Sequence, residues 1–319
     1  MHGAPETAGP ILSTPVKVWI PHEAGRSLIG ELPPDTTLEV FTGDDTSLPS
    51  DPATVEFWTP PFLSTVNATH LLDKMPRLRV VQLMSAGADA WVSRMPAGVT
   101  LCDARGVHDS STSEWVVAAV LAYLRNFPAF ARAQERRQWA YGPTDELAGK
   151  RVLIVGAGSI GAAITRRLEP FEVSLTLVAR RARDGVHGVD ELPRLLPFAD
   201  IVVLVVPLTR ATTGLVDAAF LAAMPDGALL VNAARGPVVD TEALAAELAT
   251  GRIAAAVDVT DPEPLPADHR LWDMPNLLLT PHVAGSVRGF QSRAYRLIGE
   301  QVRRFAAGQP LENVVTDGY

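Results

Sequence analysis

Three polar side chains in the second half of the chain have the chemistry to move a proton beside a bound anion. Arg235 follows the apolar segment ALLVNA, Glu263 lies between two prolines after IAAAVDV, and His282 follows NLLLT. If these segments are parallel strands, their carboxyl ends lie at one edge of a sheet, where ligands bind. A carboxylate partner fixes the tautomer of an imidazole and favours its charged form, while a guanidinium suits a carboxylate ligand. The three residues therefore predict an acid/base pair next to a carboxylate-binding arginine.

Each of the three residues also has a plainer interpretation. Arg235 could be a surface arginine that pairs with Asp240 or Glu242. Glu263 could be a solvated loop acid, and a lone histidine at a strand end is more often structural than catalytic. We favour the joint site because an acid and a histidine at successive strand ends can meet. Such a pair would serve as a proton donor for a carbonyl oxygen near neutral pH.

A glycine-rich turn upstream of these residues predicts a bound dinucleotide. The sequence GAGSIG follows the apolar segment RVLIV and precedes a predicted helix at Ala162–Leu168. In that setting the first glycine allows the tight turn, the second lets a pyrophosphate approach, and the third lets the helix pack on the strand. The amides at the helix N-terminus then face the phosphates. The predicted cofactor contacts in this turn are Gly156, Gly158, Ser159, Ile160 and Gly161.

The residues after the next apolar segment, VSLTLV, favour NADP over NAD. Ala179 stands where an NAD site usually has an acid for the ribose 2′-hydroxyl. Arg180, Arg181 and Arg183 follow it, and a guanidinium can pair with a 2′-phosphate. The alternative is a solvated basic turn that contacts nothing. We predict that NADP is the preferred cofactor and that NAD can also bind.

The apolar segments themselves predict an α/β architecture. From Lys150 onward, RVLIV, VSLTLV, DIVVLVV, ALLVNA, IAAAVDV and NLLLT alternate with helical stretches. This alternation is typical of parallel strands that are buried on both faces of a doubly wound sheet. The first hundred residues predict a second α/β layer with short strands. Its predicted strands are Val16–Ile20, Thr37–Phe41, Val55–Trp58, Arg79–Met84 and Thr100–Asp103.

A turn of small residues follows the fourth of these short strands. Ser85, Ala86 and Gly87 would expose backbone amides there, and such amides can bind a carboxylate. A plain turn that binds nothing is an equally good interpretation. We therefore treat these three as candidate substrate-binding residues.

A long helix is predicted to begin near Ser111. Ser111 and Glu114 have the spacing of a capping box, which marks the first turn of a helix. The run WVVAAVLAYL that follows is apolar on every face. Such a helix must be buried between layers or at an interface.

Composition limits the class of function and the compartment. The 319 residues suffice for two domains, and 47% hydrophobic residues allow a large core. The net charge of −8 and the lack of a basic block disfavour nucleic acids and membranes as partners. Cys102 is the single cysteine, which excludes an internal disulfide and fits the cytoplasm. Residues 1–13 lack the pattern of a signal peptide and are expected to be mobile. No metal site is predicted.

With these residues the chain resembles the D-isomer-specific 2-hydroxyacid dehydrogenase family, and in particular its glyoxylate/hydroxypyruvate reductase branch. The resemblance extends over roughly Ala53–Val314 and rests on the segments ELAGKRVLIVGAGSIG, VVPLTRATTGLVD, LVNAARGPVVD, AVDVTDPEPLP, LWDMPNLLLTPHVAG, LMSAGAD and STSEW. It implies two Rossmann-like doubly wound parallel-sheet domains with the active site in the cleft between them. Residues 14–105 and 286–319 would form a flavodoxin-like substrate domain, and residues 106–285 the NAD(P)-binding Rossmann domain. The resemblance also implies a homodimer that forms through the Rossmann domain.

The resemblance implies a role for each site residue as well. Arg235 would bind the carboxylate and carbonyl of the substrate, His282 would be the acid/base, and Glu263 would orient His282. Backbone amides around Gly87 would bind the same carboxylate, and Asp258 matches a family aspartate near the nicotinamide amide. The further implied cofactor contacts are Pro207, Leu208, Thr209, Ala233 and Gly285.

The implied reaction is the NADPH-preferring reduction of small 2-oxo acids to D-2-hydroxy acids, with His282 as the proton donor. One alternative is a dehydrogenase of another anion, such as phosphite or a phosphonate-bearing 2-hydroxy acid. The other is a dinucleotide-sensing binding protein similar to corepressors that share this fold. The formate dehydrogenase branch is disfavoured because it has a glutamine where this chain has Glu263.

Three positions depart from the pattern of the family. Asp103 stands where many members have asparagine, and Val287 stands where a small hydroxyl residue often follows the PHxAG motif. Glu172 replaces a common glycine before the second strand of the Rossmann domain. None of the three belongs to the predicted triad, although the first two could alter contacts with substrate or cofactor.

Overall fold

A computed structural model describes residues 15–44, 46–62 and 68–316 of the chain. These residues divide into two compact units. The first unit contains the described residues up to Met84, together with Trp91–Ala104 and Gln291–Val315, and the second contains Ser85–Ala90, Arg105–Phe290 and Thr316. The predicted mobile tail at 1–13 lies outside the described residues, as do Thr14 and residues 317–319.

The first unit is built on a parallel sheet. Its strands are β1 (Val16–Ile20), β2 (Thr36–Val40), β3 (Phe57–Trp58), β4 (Val80–Gln82) and β5 (Thr100–Cys102). They lie in the order β2-β1-β3-β4-β5, and every neighbouring pair is parallel. The predicted short strands are confirmed, with ends that differ by at most two residues. Two short helices lie in this part of the chain, α1 (Gly25–Leu28) and α2 (Asp89–Val92).

The second unit is built on a larger parallel sheet. Its strands are β6 (Arg151–Val155), β7 (Ser174–Ala179), β8 (His187–Gly188), β9 (Ile201–Leu204), β10 (Leu229–Asn232), β11 (Ala254–Val257) and β12 (Leu277–Leu279). They lie in the order β12-β11-β10-β9-β6-β7-β8. The six predicted strands are confirmed, and β8 is an addition. The strand order reverses between β6 and β9, which opens a crevice at their carboxyl ends.

Helices cover both faces of this second sheet. They are α3 (Asp109–Leu124), α5 (Ser159–Leu168), α6 (Leu192–Leu195), α7 (Ala218–Ala223) and α8 (Thr241–Ala249), while α4 (Phe127–Glu135) follows α3. On one face, Val152 and Ile154 of β6 belong to the same buried cluster as Val116 and Val120 of α3. On the other face, Leu153 of β6 belongs to a cluster that includes residues of α7 and α8. The sheet is therefore buried on both sides, as its aliphatic strands predict.

The start of α3 differs from the sequence-based prediction. The helix begins at Asp109 with His108 as its N-terminal cap, so the capping box predicted from Ser111 and Glu114 is wrong. Ser111 lies inside the first turn, where its hydroxyl donates to the His108 carbonyl oxygen at 3.2 Å. A serine in that position satisfies its hydroxyl on the backbone and cannot cap the helix.

Glu172 shows why glycine suits the position before β7. Its φ is +61°, in the left-handed region. Glycine adopts this conformation without steric cost, whereas another residue loses about 1–2 kcal/mol. The glutamate therefore carries a local strain that a glycine would remove.

The chain returns to the first unit through its last helix, α9 (Phe290–Ala306). Ala294, Tyr295, Ile298 and Val302 recur at helical spacing and are buried. The hydroxyl of Tyr295 accepts a hydrogen bond from the backbone amide of His22 after β1. This helix therefore packs its apolar face into the core of the first unit.

Ile154 tests the core cluster that includes β6 and α3. Its side chain is fully buried, and alanine would leave a cavity in a sheet that is packed on both faces. We expect Ile154→Ala to lower the free energy of unfolding by about 2–5 kcal/mol, measured by urea unfolding followed by circular dichroism. Phe198→Ala is the control, because Phe198 is 62% exposed and its loss should cost less than about 0.5 kcal/mol. Equal losses in the two variants would contradict this assignment of the core.

Candidate active site

Three neighbouring strands of the second sheet end at the same level. Asn232 of β10 is aligned with Val257 of β11, and Val257 is aligned with Leu279 of β12. The segments that carry Arg235 and His282 follow these strand ends. They therefore leave the carboxyl edge of the sheet side by side, as the parallel arrangement predicts.

The structure brings Glu263 and His282 together. Nδ1 of His282 lies 2.6 Å from Oε1 of Glu263, and the two side chains are 26% and 41% exposed, respectively. An ionised carboxylate only accepts hydrogen bonds, so Nδ1 carries the proton in this contact. Nε2 is then the nitrogen that can exchange a proton with a ligand.

Asp258 holds the loop that carries His282. Its backbone oxygen accepts from the amide of His282 at 2.7 Å. Its carboxylate accepts from the amides of Val283 and Ala284 at 2.9 and 2.8 Å. Asp258 therefore accepts hydrogen bonds from three consecutive backbone amides. His282 has a φ of +54°, and such a left-handed conformation persists only where the surroundings hold it.

Arg235 pairs with Asp89. Its Nε lies 3.2 Å from Oδ1 of Asp89, and its Nη1 donates to the carbonyl oxygen of Ala234 at 2.8 Å. The plainer interpretation named two other acids as its partners. Asp240 instead caps α8, and Glu242 instead pairs with Arg270. Arg235 therefore pairs with the acid that closely follows the small-residue turn.

The guanidinium of Arg235 lies directly against the backbone of Gly87. A Cβ at Gly87 would stand 1.6 Å from Nη2, so a side chain at this position would displace the guanidinium. The hydroxyl of Ser85 donates to the carbonyl oxygen of Gly87 at 2.6 Å and holds the turn closed. The candidate substrate-binding residues Ser85, Ala86 and Gly87 therefore lie beside the arginine. Their contacts group Ser85–Ala90 with the second unit.

Two residues that the sequence analysis did not select shape the turn around Arg235. The buried side chain of Asn232 donates to the carbonyl oxygen of Arg235 at 3.1 Å and accepts from the amide of Ala234 at 3.0 Å. A Cβ at Gly236 would stand 1.9 Å from the carbonyl oxygen of Thr260, so the turns after β10 and β11 touch there. An asparagine that ends an otherwise aliphatic strand was the available signal for the first of them.

The glycine turn between β6 and α5 has the form that its sequence predicts. Gly156 has a φ of +123°, and a Cβ there would stand 2.4 Å from the carbonyl oxygen of Val205. A Cβ at Gly161 would stand 2.0 Å from the carbonyl oxygen of Gly156. Gly158 faces open space and caps α5 without a side chain, which leaves the amides of Ser159 and its neighbours to an anion. These residues fit a dinucleotide pyrophosphate.

The arginines after β7 divide into two kinds. Arg180 and Arg181 are exposed directly after the strand ends at Ala179. The backbone of Arg183 is hydrogen-bonded to that of Val186 in a tight turn. Its Nη2 donates to the carbonyl oxygen of Ala157 at 2.8 Å. The first two are exposed at the end of β7, where a ribose phosphate would bind, whereas the third contacts the glycine turn itself.

The remaining predicted cofactor residues lie at the carboxyl edge of the same sheet. In the segment after β9, the amide of Thr209 donates to Thr212, whose hydroxyl donates to the carbonyl oxygen of Pro207 at 2.6 Å. Ala233 extends β10 by one backbone hydrogen bond to Leu204. A Cβ at Gly285 would stand 2.9 Å from Nδ1 of His108, so packing alone already requires glycine there. Their contacts with a cofactor stay a prediction.

Cys102 and one surface pocket lie outside this arrangement. Burial, and then the charge of Asp103, raise the pKa of the Cys102 thiol to about 12, so it is not a nucleophile. A pocket at the amino edge of the second sheet is lined by residues that include Asp145, Lys150 and Asp200. Lys150 pairs with Asp145, and Arg151 pairs with Asp200, so these charges are satisfied by one another.

Residues 15–44, 46–62 and 68–316 contain no group of three or more His, Cys, Asp and Glu side chains placed to hold a metal ion. Across the same ranges, none of the helices is long and apolar enough to cross a membrane. Among the described residues, the candidate site therefore consists of the residues at the strand ends and the glycine turn.

Comparison with known proteins assigns the family. Residues 117–284 match the model of the D-isomer specific 2-hydroxyacid dehydrogenase NAD binding domain. A glyoxylate reductase of Thermofilum pendens is 34% identical over 256 residues, which cover 75% of this chain and 75% of the relative. A formate dehydrogenase of Oryza sativa is 31% identical over 273 residues, which cover 81% and 72%. Several branches of one family are therefore similar to this chain at nearly equal identity.

Solved structures agree with this assignment. A D-isomer specific 2-hydroxyacid dehydrogenase from Xanthobacter autotrophicus, in complex with NADPH, superposes with a TM-score of 0.82 at 32% identity, over 95% of this chain and 98% of the other. An NADPH-dependent glyoxylate/hydroxypyruvate reductase from Sinorhizobium meliloti, in complex with NADP and sulfate, superposes with a TM-score of 0.80 at 28% identity, over the same shares. The chain belongs to the D-isomer specific 2-hydroxyacid dehydrogenase family of NAD(P)-dependent oxidoreductases, as its motifs predicted.

Gly87 tests the contact with Arg235. An alanine there would force the guanidinium to move, because its Cβ would overlap Nη2. We expect Gly87→Ala to lower kcat/KM for a 2-oxo acid by about 10- to 100-fold, because small displacements of a binding group are costly. Arg235→Lys should lower kcat/KM by about 100-fold or more, because lysine offers a point charge in place of a planar fork. Steady-state kinetics measure both, and fluorescence titration should show little change in cofactor affinity.

A double-mutant cycle tests whether Gly87 acts through Arg235. Lysine has no Nη2, so adding Gly87→Ala to Arg235→Lys should cost little more. Arg252→Lys is the matched control, since the Arg252 side chain is 25% exposed, against 26% for Arg235, and pairs with Glu247. Additive losses would show that Gly87 does not act through Arg235. An equal loss in Arg252→Lys would show a general cost of lysine.

Proposed function

We propose that this protein reduces small 2-oxo acids of the glyoxylate/hydroxypyruvate type to D-2-hydroxy acids and prefers NADPH. The observation that carries the proposal is the contact of 2.6 Å between His282 and Glu263, at the strand edge that also bears Arg235. One group can hold the anionic end of a substrate while the other supplies a proton to its carbonyl oxygen.

Arg235 binds the substrate carboxylate in this proposal. Among the described residues, its Nε donates to Asp89 and one N–H of Nη1 donates to Ala234. A guanidinium has five N–H groups, so one on Nη1 and both on Nη2 are left for a ligand. Because Nη2 lies against Gly87, a carboxylate bound there also meets the amides of the small-residue turn. The same donors stabilise negative charge that develops on the carbonyl oxygen.

His282 donates the proton. A bound nicotinamide supplies the hydride to the carbonyl carbon. The imidazolium of His282 gives its Nε2 proton to the oxygen as that oxygen gains negative charge. Glu263 keeps its hydrogen bond to Nδ1, so the ring does not turn during the transfer. With 26% of its side chain exposed, His282 regains a proton from solvent after each turnover.

The acid/base pair supports 2-oxo acids over formate as the substrate. Oxidation of formate removes a hydride and leaves carbon dioxide, so no oxygen has to gain or lose a proton. Reduction of a carbonyl group requires a proton for each turnover. Glu263 beside His282 provides it, and the glyoxylate and hydroxypyruvate reductases among the similar proteins point to the same substrate class.

The end of β7 supports NADPH as the preferred cofactor. Ala179 closes the strand where an NAD site would present an acid, and exposed Arg180 and Arg181 follow. The similar structures from Xanthobacter autotrophicus and Sinorhizobium meliloti were obtained with NADPH and NADP. Both observations favour a site for the 2′-phosphate.

We also propose a homodimer that forms through the second unit. Trp139 and Tyr141 are 96% and 91% exposed, in a stretch without helix or strand after α4. Large aromatic side chains are enriched at protein interfaces, where they bury much apolar area. Sedimentation velocity at micromolar concentration tests the proposal, and a monomer would contradict it.

The single, buried Cys102 fits a cytoplasmic setting.

The activity is tested by following the oxidation of NADPH at its absorbance band. Glyoxylate, hydroxypyruvate and longer 2-oxo acids are compared with each cofactor, and formate and phosphite are offered with NADP in the opposite direction. Turnover of a small 2-oxo acid, faster with NADPH than with NADH, supports the proposal. Turnover of formate or phosphite alone, or cofactor binding without any turnover, contradicts it.

Arg180 and Arg183 give separable predictions about the cofactor. Arg180→Ala should lower kcat/KM for NADPH by about 10- to 100-fold and leave NADH nearly unchanged, because a charge-assisted hydrogen bond contributes about 1.5–3 kcal/mol. Arg183→Ala should weaken both cofactors, because its guanidinium holds Ala157 in the glycine turn. Arg166→Ala, an exposed arginine on α5, is the control. A wild-type enzyme that prefers NADH, or equal losses in Arg180→Ala with both cofactors, would overturn the preference.

His282 and Glu263 give the prediction about proton transfer. His282→Ala should lower kcat by about 10²- to 10⁴-fold, because protonation belongs to the transition state. Glu263→Gln should move the alkaline limb of the reductive pH–rate profile to lower pH, because it removes the charge that stabilises the imidazolium. Glu191→Gln is the matched control, since Glu191 pairs with His187 at 3.1 Å elsewhere in the unit. An unmoved limb in Glu263→Gln would show that Glu263 does not support the proton donor.

A further inference from the structure

A chain of side-chain hydrogen bonds connects helix α3 to the residue that holds the His282 loop. Nε1 of Trp115 lies 3.0 Å from Oγ1 of Thr280. That hydroxyl lies 2.6 Å from Oδ1 of Asp258. Asp258 is 2% exposed, and its carboxylate also accepts the amides of Val283 and Ala284. The chain therefore ends on the group that shapes the backbone on both sides of His282.

The chemistry of the three groups fixes the direction of these hydrogen bonds. The indole nitrogen of Trp115 only donates, and the ionised carboxylate of Asp258 only accepts. The hydroxyl of Thr280 must then accept from the indole and donate its own proton to the carboxylate. No alternative orientation satisfies all three groups, so the hydroxyl rotor is held in one state.

Helix α3 contacts both ends of the His282 loop with one face. His108 and Trp115 are seven residues apart, which places them two turns apart on the same side of a helix. Trp115 holds Thr280, before the loop, while the ring of His108 packs against Gly285, after it. The helix thus acts as a rigid support for the segment between them.

We propose that Trp115 and Thr280 are positioning residues for proton transfer, which act on His282 through Asp258. The proposal rests on the proposed role of His282 as the acid/base. Asp258 has one oxygen, Oδ1, that serves both the hydroxyl of Thr280 and the amide of Val283. Without the hydroxyl, the carboxylate can turn away from the two amides, and the left-handed backbone of His282 loses its support.

The effect should fall on proton transfer and leave substrate binding in place. Arg235 is held by a separate set of contacts, from Asn232, Asp89 and the small-residue turn. The glycine turn is likewise held by its own backbone. Loss of the hydroxyl of Thr280 should therefore change kcat and spare KM.

Kinetics of four variants test the proposal. Thr280→Val keeps the shape of the side chain and removes the hydroxyl, and Trp115→Phe removes only the first donor. We expect kcat to fall about 10-fold in Thr280→Val and less in Trp115→Phe, with KM for the 2-oxo acid within about twofold of wild type. Thr280→Ser should restore kcat, because it restores the hydroxyl. Thr176→Val in β7, the same change five strands away from β12 in the sheet, should have no effect.

A second measurement does not depend on the reaction. In protein labelled with ¹⁵N-histidine, the ring signals of His282 are assigned by their absence in His282→Ala. We expect a single tautomer with the proton on Nδ1 in wild type and in Thr280→Ser, and a mixture of tautomers in Thr280→Val. This result decides the positioning role even if wild type reduces no 2-oxo acid, in which case the proposed function alone fails.

Each outcome of these measurements either supports the proposal or overturns it. A lower kcat with unchanged KM, rescue by serine and a mixed tautomer support the proposal. An unchanged tautomer in Thr280→Val, an equal loss in Thr280→Ser, or a loss that appears only in KM overturns it. Trp115→Phe decides the case if Thr280→Val does not fold, since the phenylalanine variant keeps the hydroxyl of Thr280 and loses only the indole donor.

Discussion

The alignment of β10, β11 and β12 determines where Arg235, Glu263 and His282 stand. Asn232, Val257 and Leu279 occupy one level of the sheet, so the turns that follow them begin from a common line. A slip of one residue in any of these strands would send its side chains to the opposite face. Alternate residues of these strands pack into different buried clusters on the two faces, so such a slip would disrupt the packing of both. Hydrophobic packing thus places Glu263, His282 and Arg235, although none of the three side chains takes part in it.

A buried carboxylate is the second requirement. Removing Asp258 from water costs several kcal/mol unless its oxygens are bonded. Two amides and a hydroxyl satisfy those oxygens, and the same bonds fix the loop of His282. The hydrogen bonds that satisfy this buried charge are therefore the same ones that hold the loop of His282. A substitution that alters the hydrogen bonds of the Asp258 carboxylate therefore also disturbs the loop of His282.

Sequence patterns predicted the strands of the second unit well, because buried parallel strands are runs of aliphatic residues. β8 has two residues and no such run, so no pattern marked it. The contact between His282 and Glu263 followed from strand order alone. The partner of Arg235 did not, because Asp89 lies 146 residues earlier and local spacing carries no information at that separation. The sequence placed the cap of α3 at Ser111 because Ser111 and Glu114 have the spacing of a capping box. In the structure the helix begins at Asp109, so Ser111 lies two residues inside it.

The ion pair between Arg235 and Asp89 has a consequence for how an anion reaches the site. The protein carries a net charge of −8, and a lone guanidinium would be a strong local source of attraction. With the Asp89 carboxylate 3.2 Å away, the field of Arg235 is largely cancelled beyond a few ångströms. If Arg235 binds an anion as proposed, that anion is attracted mainly by the N–H groups beside Gly87 that the ion pair leaves over. We therefore expect capture to respond weakly to ionic strength and to depend on the planar shape of the anion more than on its total charge.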